Sequence, residues 1–168
     1  MTKHLFIFTL LIAFAAIGCG KNLPADWPKT YPCKITVTKG GVPLDGAMVT
    51  LTPTGGGGNY AIGGITDAQG VAVIQTSYTN YSEAGSPEGS FKVTITKSLP
   101  EFVDPTPQSK LDAMDYEERV KHVQKMDEEA NKRPPIVPKS ISDSSATTLT
   151  IDVKSDGKTE ATFDVDKK

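Results

Sequence analysis

Reactive side chains are few in this chain, and their spacing limits the chemistry it can support. Of its two histidines, His4 stands at the very start, which leaves His122 as the one imidazole further along. A serine–histidine–aspartate arrangement would need that residue as its base, oriented by a carboxylate and set beside a nucleophile. Its sequence neighbours are Lys121 and Val123, so a solvated surface histidine is expected and no catalytic residue is assigned. No cysteine pair or histidine cluster has the spacing of zinc ligands. Asp152, Asp156 and Gly157 imitate the start of a calcium loop, but Lys154 and Phe163 stand where its third and twelfth positions require oxygen donors. The glycine run Thr54-Gly55-Gly56-Gly57-Gly58-Asn59 is followed by neither the Gly-Lys-Ser/Thr nor the helix of a phosphate loop. It reads as a mobile turn. No metal or cofactor is expected. The remaining candidates are Tyr60, Tyr78 and Tyr81, which fall in expected loops, where their rings could stack on a sugar.

The two thiols carry more information. Met1-Thr2-Lys3-His4 is short and basic, and Leu5 to Ile17 is an apolar run, long enough for a signal peptide and short of the roughly 20 residues of a membrane span. It ends in Ala16-Ile17-Gly18-Cys19-Gly20. Small residues before a cysteine resemble the lipobox of bacterial lipoproteins, with Ala16 where Leu is usual. That resemblance implies that residues 1–18 are removed and that Cys19 becomes an acylated first residue, anchoring the protein in a membrane. Gly20, where Asp often signals inner-membrane retention, points to the outer membrane. Cys33 would then have no partner and act as a small buried apolar residue. The alternative is an ordinary cleaved signal, with a disulfide between Cys19 and Cys33 in an oxidising compartment.

Behind that cysteine about 150 residues remain, enough for one domain with a real core. Of 18 Lys and Arg, Lys3 would leave with the signal, so 17 face 20 Asp and Glu, a net charge of −3. No basic face stands out, and nucleic acid is not an expected partner. Residues 19–30 hold two of the prolines (Pro24 and Pro28) and the only tryptophan, Trp27. They read as a short, stiffened tether, with Trp27 packed on the domain edge or resting at a membrane surface.

From residue 31 onward the pattern is β. Tyr31, Cys33, Ile35 and Val37 alternate with polar residues, and so do Ala47, Val49 and Leu51, on either side of a Gly/Pro/Asp-rich turn. Tyr60 to Ile65, Val71 to Thr76, Ser90 to Lys97, Thr147 to Lys154 and Thr159 to Val165 read as further strands. Ser155-Asp156-Gly157-Lys158 is expected to close a hairpin between the last two. Thr54–Gly64 and Ser77–Pro87 are expected as exposed loops, and Ile136 to Ala146 as a Pro/Ser loop.

These turns carry a resemblance. Gly41-Val42-Pro43-Leu44-Asp45-Gly46-Ala47-Met48-Val49 resembles the opening of carboxypeptidase-regulatory-like domains. Gly64-Ile65-Thr66-Asp67-Ala68-Gln69-Gly70 resembles their G-x-T-D-x-x-G turn, and Gly89-Ser90-Phe91-Lys92-Val93 their G-x-Y-x-V strand. The resemblance implies a mainly β, seven-stranded Greek-key sandwich of the transthyretin (prealbumin-like, Ig-like) group over residues 31–168. Such domains occur in small bacterial surface lipoproteins. Some similar sandwiches cleave aromatic rings with iron held by paired Tyr and His, a ligand set that one histidine cannot complete.

Residues 109–133 depart from the compact pattern. Tyr116, Val120, Val123, Met126 and Ala130 lie on one helical stripe, acidic residues crowd the start, and Pro134-Pro135 follows. One amphipathic helix is expected there, capped by Ser109 with Asp112, packed by its stripe along the domain or offering it to a partner. The function these observations imply is a non-enzymatic, lipid-anchored envelope module for binding or assembly, with an envelope protein as partner. The alternative is a carbohydrate- or peptide-binding module, and a hydrolase built on His122 is a third reading.

Overall fold

Residues 27–56 and 58–167 are described by the computed structural model. The expected signal segment, Cys19 and the tether as far as residue 26 lie outside them. The described residues are mainly β, 38% strand and 19% helix. Among the described residues, two larger sheets and one small pair account for the strands.

The first sheet contains β4 (Met48–Pro53), β5 (Ala61–Ile65), β7 (Gln75–Tyr78), β8 (Tyr81–Ala84), β10 (Gly89–Thr96) and β11 (Thr150–Val153). Its order is β11-β10-β4-β5-β7-β8, antiparallel throughout. The second is centred on β2 (Cys33–Lys39). β12 (Thr159–Asp164) lies parallel to it, while β3 (Val42–Pro43) and β6 (Val71–Val73) pair antiparallel with it. β1 (Thr30–Tyr31) and β9 (Ser86–Pro87) form the small pair. Alternation explains the facing of these strands, since successive side chains of a strand point to opposite sides. Cys33, Ile35 and Val37 of β2, Val49 and Leu51 of β4, and Phe91, Val93 and Ile95 of β10 are buried. One hydrophobic cluster takes in residues of both sheets, together with Ala47, Ile62, Ala72, Ile74, Ile151, Val153 and Val165.

Turn chemistry holds the strands in register. Gly70 has φ +75°, and a Cβ there would lie 2.6 Å from the Val37 carbonyl oxygen, so both conformation and space demand glycine. Asp67 opens the same turn by accepting from the N–H groups of Gln69 and Val71. The Asp164 carboxylate accepts from Gly40 N, Gly41 N and Asp166 N, fastening the glycine turn after β2 to the last strand.

Several expectations are corrected. The run Val71–Thr76 is not one strand: it changes sheets at Ile74, whose N–H bonds Cys33 while its carbonyl accepts from Gly85. Ser155–Lys158 does not close a hairpin, because β11 pairs with β10 and β12 pairs with β2. A tight turn encodes a reversal of direction, not the identity of the partner strand. Residues 77–87, expected as a loop, contain the β7–β8 hairpin, in which Tyr78 faces Tyr81 across Thr79-Asn80. Residues 136–146 contain α3 (Lys139–Ser142), which buries Ile141, with Val137 buried just before it.

The expected single helix is two, α1 (Gln108–Ala113) and α2 (Tyr116–Lys132). The break follows from capping. Asp115 accepts from Glu118 N at 2.8 Å and the Glu118 carboxylate reaches back to Asp115 N, a capping box that replaces the expected Ser109–Asp112 pair. The helix is also turned about its axis. Tyr116 is 82% exposed and Val123 52%, whereas His122, Met126 and Ala130 are half-buried. Polar anchors outweigh the thin apolar stripe: His122 pairs with Asp104, and Arg133 donates to the Pro100 carbonyl and stacks on Phe102.

Candidate functional site

Two places gather chemistry-bearing side chains. The first is the end of the large sheet where the chain joins the domain. Tyr60 stands just before β5, Tyr78 ends β7 and Tyr81 begins β8, so strand pairing alone brings the last two together. Trp27 packs against this group. Its ring centroid is 6.1 Å from that of Tyr60 and 6.4 Å from that of Tyr81, inclined at 61° and 57°. Such tilted arrangements let the positive edge of one ring meet the negative face of another. The Trp27 Nε1–H donates to Glu83 Oε2 at 2.8 Å, so its one polar atom is satisfied.

Backbone geometry explains why the tryptophan arrives there. β1 runs beside β9 and passes over Gly85, where a Cβ would lie 2.5 Å from the Tyr31 carbonyl oxygen. Only a glycine lets β1 lie this close. Lys29 sits over the Tyr31 ring at 5.2 Å. The hairpin itself is braced by Ser77, Ser82 and Gln75, whose side chains hydrogen-bond in a row. Tyr78 and Tyr81 remain 44% and 39% exposed, while Tyr60 and Trp27 are half-buried. The three tyrosines singled out from sequence are thus brought to one end of the molecule. Trp27 and Glu83 complete the group, and sequence reasoning did not join them to it. The available signal was Trp27 itself, the only tryptophan, set between prolines one strand ahead of the core.

The second place is His122. Its Nε2 lies 2.6 Å from Asp104 Oδ2, and its side chain is only 14% exposed. This corrects the expectation of a solvated, unoriented histidine. The hydrogen bond from His122, helped by the Thr106 backbone N–H, pulls the Asp104 carboxyl down from 3.8 to about 2. A shallow hollow beside the pair is lined by Lys110, Met114, Glu118, Lys121 and Lys125. The pair fastens α2 to the stretch Asp104-Pro105-Thr106-Pro107 ahead of α1. Among the described residues, Asp104 is the hydrogen-bond partner of this imidazole, and the hollow's lining holds no hydroxyl or thiol nucleophile.

Cys33 is 2% exposed, and burial pushes its thiol up from 9.0 to about 11, which keeps it protonated and unreactive at neutral pH. Elsewhere, Met48, Ile65 and Val73 rim an open groove of about 620 Å³ above Gly63 and Gly64. Among the described residues no three His, Cys, Asp or Glu side chains converge as metal ligands, and no helix is long and apolar enough to cross a membrane. No family model, curated protein or solved structure matches the chain.

Proposed function

We propose that this protein is a non-enzymatic, lipid-anchored module of the cell envelope, which binds or assembles with other envelope components. In this reading it is a seven-stranded Greek-key sandwich of the carboxypeptidase-regulatory-like kind. The observation that carries the anchor is the apolar run Leu5–Ile17 closing in Ala16-Ile17-Gly18-Cys19-Gly20, only eight residues ahead of Trp27. A thiol placed directly after small residues is accessible to an acyl-transferring enzyme, and acyl chains hold a protein at a bilayer through the burial of their CH₂ groups. Gly20 favours the outer membrane. The Pro43–Gly46 and Thr66–Gly70 turns and the alternating core strands support the family resemblance. In cells fed labelled palmitate, Cys19→Ala should abolish label and leave an uncleaved precursor, and normal labelling of the variant would end the lipoprotein reading. Crosslinking in intact cells, followed by pull-down, identifies the envelope partner.

A second reading, a carbohydrate- or peptide-binding module, is favoured by the exposure of Tyr78 and Tyr81 at one edge. Flat aromatic faces stack on sugar rings and on peptide side chains. A glycan array read with the native protein and with Tyr81→Ala tests it: loss of a specific signal in the variant supports this module, and an empty array removes the carbohydrate form.

A further inference from the structure

The described chain starts at the aromatic end of the large sheet, and the proposed anchor lies a short way upstream. From Cys19 to Trp27 is eight residues, which span at most about 26–29 Å when fully extended. A domain of about 140 residues has a radius of gyration of about 14 Å and is roughly 35–40 Å across. The tether is therefore shorter than the domain it holds, and Trp27 is not free to drift from the molecule. It is seated on Tyr60 and Tyr81 and hydrogen-bonded to Glu83.

Resting on the lipid-anchor reading above, we infer that the edge formed by Trp27, Tyr78 and Tyr81 lies on the lipid headgroups and gives the domain a fixed orientation on the membrane. The occupant of this aromatic edge is thus the bilayer surface itself. Three features fit that surface. Tyrosine and tryptophan pair an apolar ring with a polar tip and are enriched at membrane–water interfaces for that reason. Tyr78 and Tyr81 flank the two-residue tip Thr79-Asn80, which projects them together from the sheet end. Lys29, exposed over the Tyr31 ring two residues after Trp27, supplies a cation for anionic lipid, while Glu83 is engaged by the Trp27 ring N–H.

Trp27 is the only tryptophan, so emission excited selectively at tryptophan, beyond tyrosine absorption, reports this edge alone. The full mature lipoprotein is reconstituted into phosphatidylethanolamine–phosphatidylglycerol vesicles. Two vesicle sets carry bromine either near the headgroups or near the chain ends. Flotation on a density gradient is measured first and reports the anchor independently of orientation. The expected result is a floating protein whose Trp27 emission is quenched more by the shallow bromines than by the deep ones. A Tyr78→Ser/Tyr81→Ser variant, checked for native circular dichroism, should still float but lose most of that quenching. Flotation with Trp27 unquenched in both vesicle sets overturns the inference and leaves the anchor standing. So does a Trp27 that stays unquenched on vesicles but changes emission with peptidoglycan fragments, which would assign the edge to a glycan. Failure to float overturns the anchor and this inference together.

Discussion

Thr66 lies inside the protein with its hydroxyl fully used: Oγ1 donates to the Leu44 carbonyl at 2.6 Å and accepts from Ala47 N at 2.7 Å. One side chain thereby ties the turn before β4 to the turn after β5. Thr66→Val keeps the shape and removes both bonds, leaving the buried Ala47 N–H and the half-buried Leu44 carbonyl without this partner, so unfolding free energy should fall by about 1–3 kcal/mol. A denaturant midpoint equal to that of the native protein would contradict this. Cys33 makes a prediction of a different kind. Its folded value of about 11 lies above the ordinary thiol value of 9.0, so the unfolded chain loses the thiol proton first as pH rises. The stability present below pH 9 is therefore lost between about pH 9 and 11, by roughly 2–3 kcal/mol. Denaturation of native protein and Cys33→Ala at pH 8 and pH 11 isolates it: the fall with pH should be smaller in the variant by that amount.

Among the elements, α2 fully buries none of its residues, and its attachment depends on protonation. Asp104 is depressed below its usual 3.8 to about 2 by His122. A depressed carboxylate contributes above the unfolded value and loses its contribution as pH falls through the folded one, here from about pH 4 to pH 2. Amide exchange along residues 116–132, corrected for intrinsic rate, should therefore quicken across that window ahead of β10. Asp104→Ala should show the quickened exchange already at pH 6, and uniform protection in both proteins would argue against this anchor. The same helix shows what periodicity conveys. Residues 116–130 announced a helix because their apolar spacing is local. Which face packs depended on Asp104 and Phe102, residues outside the helix whose proximity no local pattern encodes. The inward faces of β2, β4 and β10 were legible, since alternation states both the strand and its buried side, although Thr94 of β10 is buried on the other face as well. The sheet change at Ile74 was not, because a run of β-branched residues looks the same whether it keeps one partner or exchanges it. Of the aromatic site, the tyrosines were legible as loop aromatics, whereas the seating of Trp27 depends on the close pass over Gly85.

At the scale of the whole molecule, the first long strand and the last lie side by side. β2 and β12 run parallel in register from Thr159 opposite Cys33 to Asp164 opposite Thr38. Asp164 also holds the Gly40–Gly41 turn, and Lys39 reaches both Asp166 and the Ile136 carbonyl. For a domain held at its N-terminal end this pairing decides how it bears force. Tension between the two ends pulls β2 by its start and β12 by its finish, in opposite directions along their common axis. The ladder is then loaded in shear, with its hydrogen bonds sharing the strain and failing together, instead of opening one at a time like a zipper. Stretched through residues 27 and 167 in single-molecule pulling, the domain should give way in one high-force step, and gradual low-force opening would count against it. A protein that links a membrane to a partner would thus carry its mechanical clamp at the seam between its own two ends.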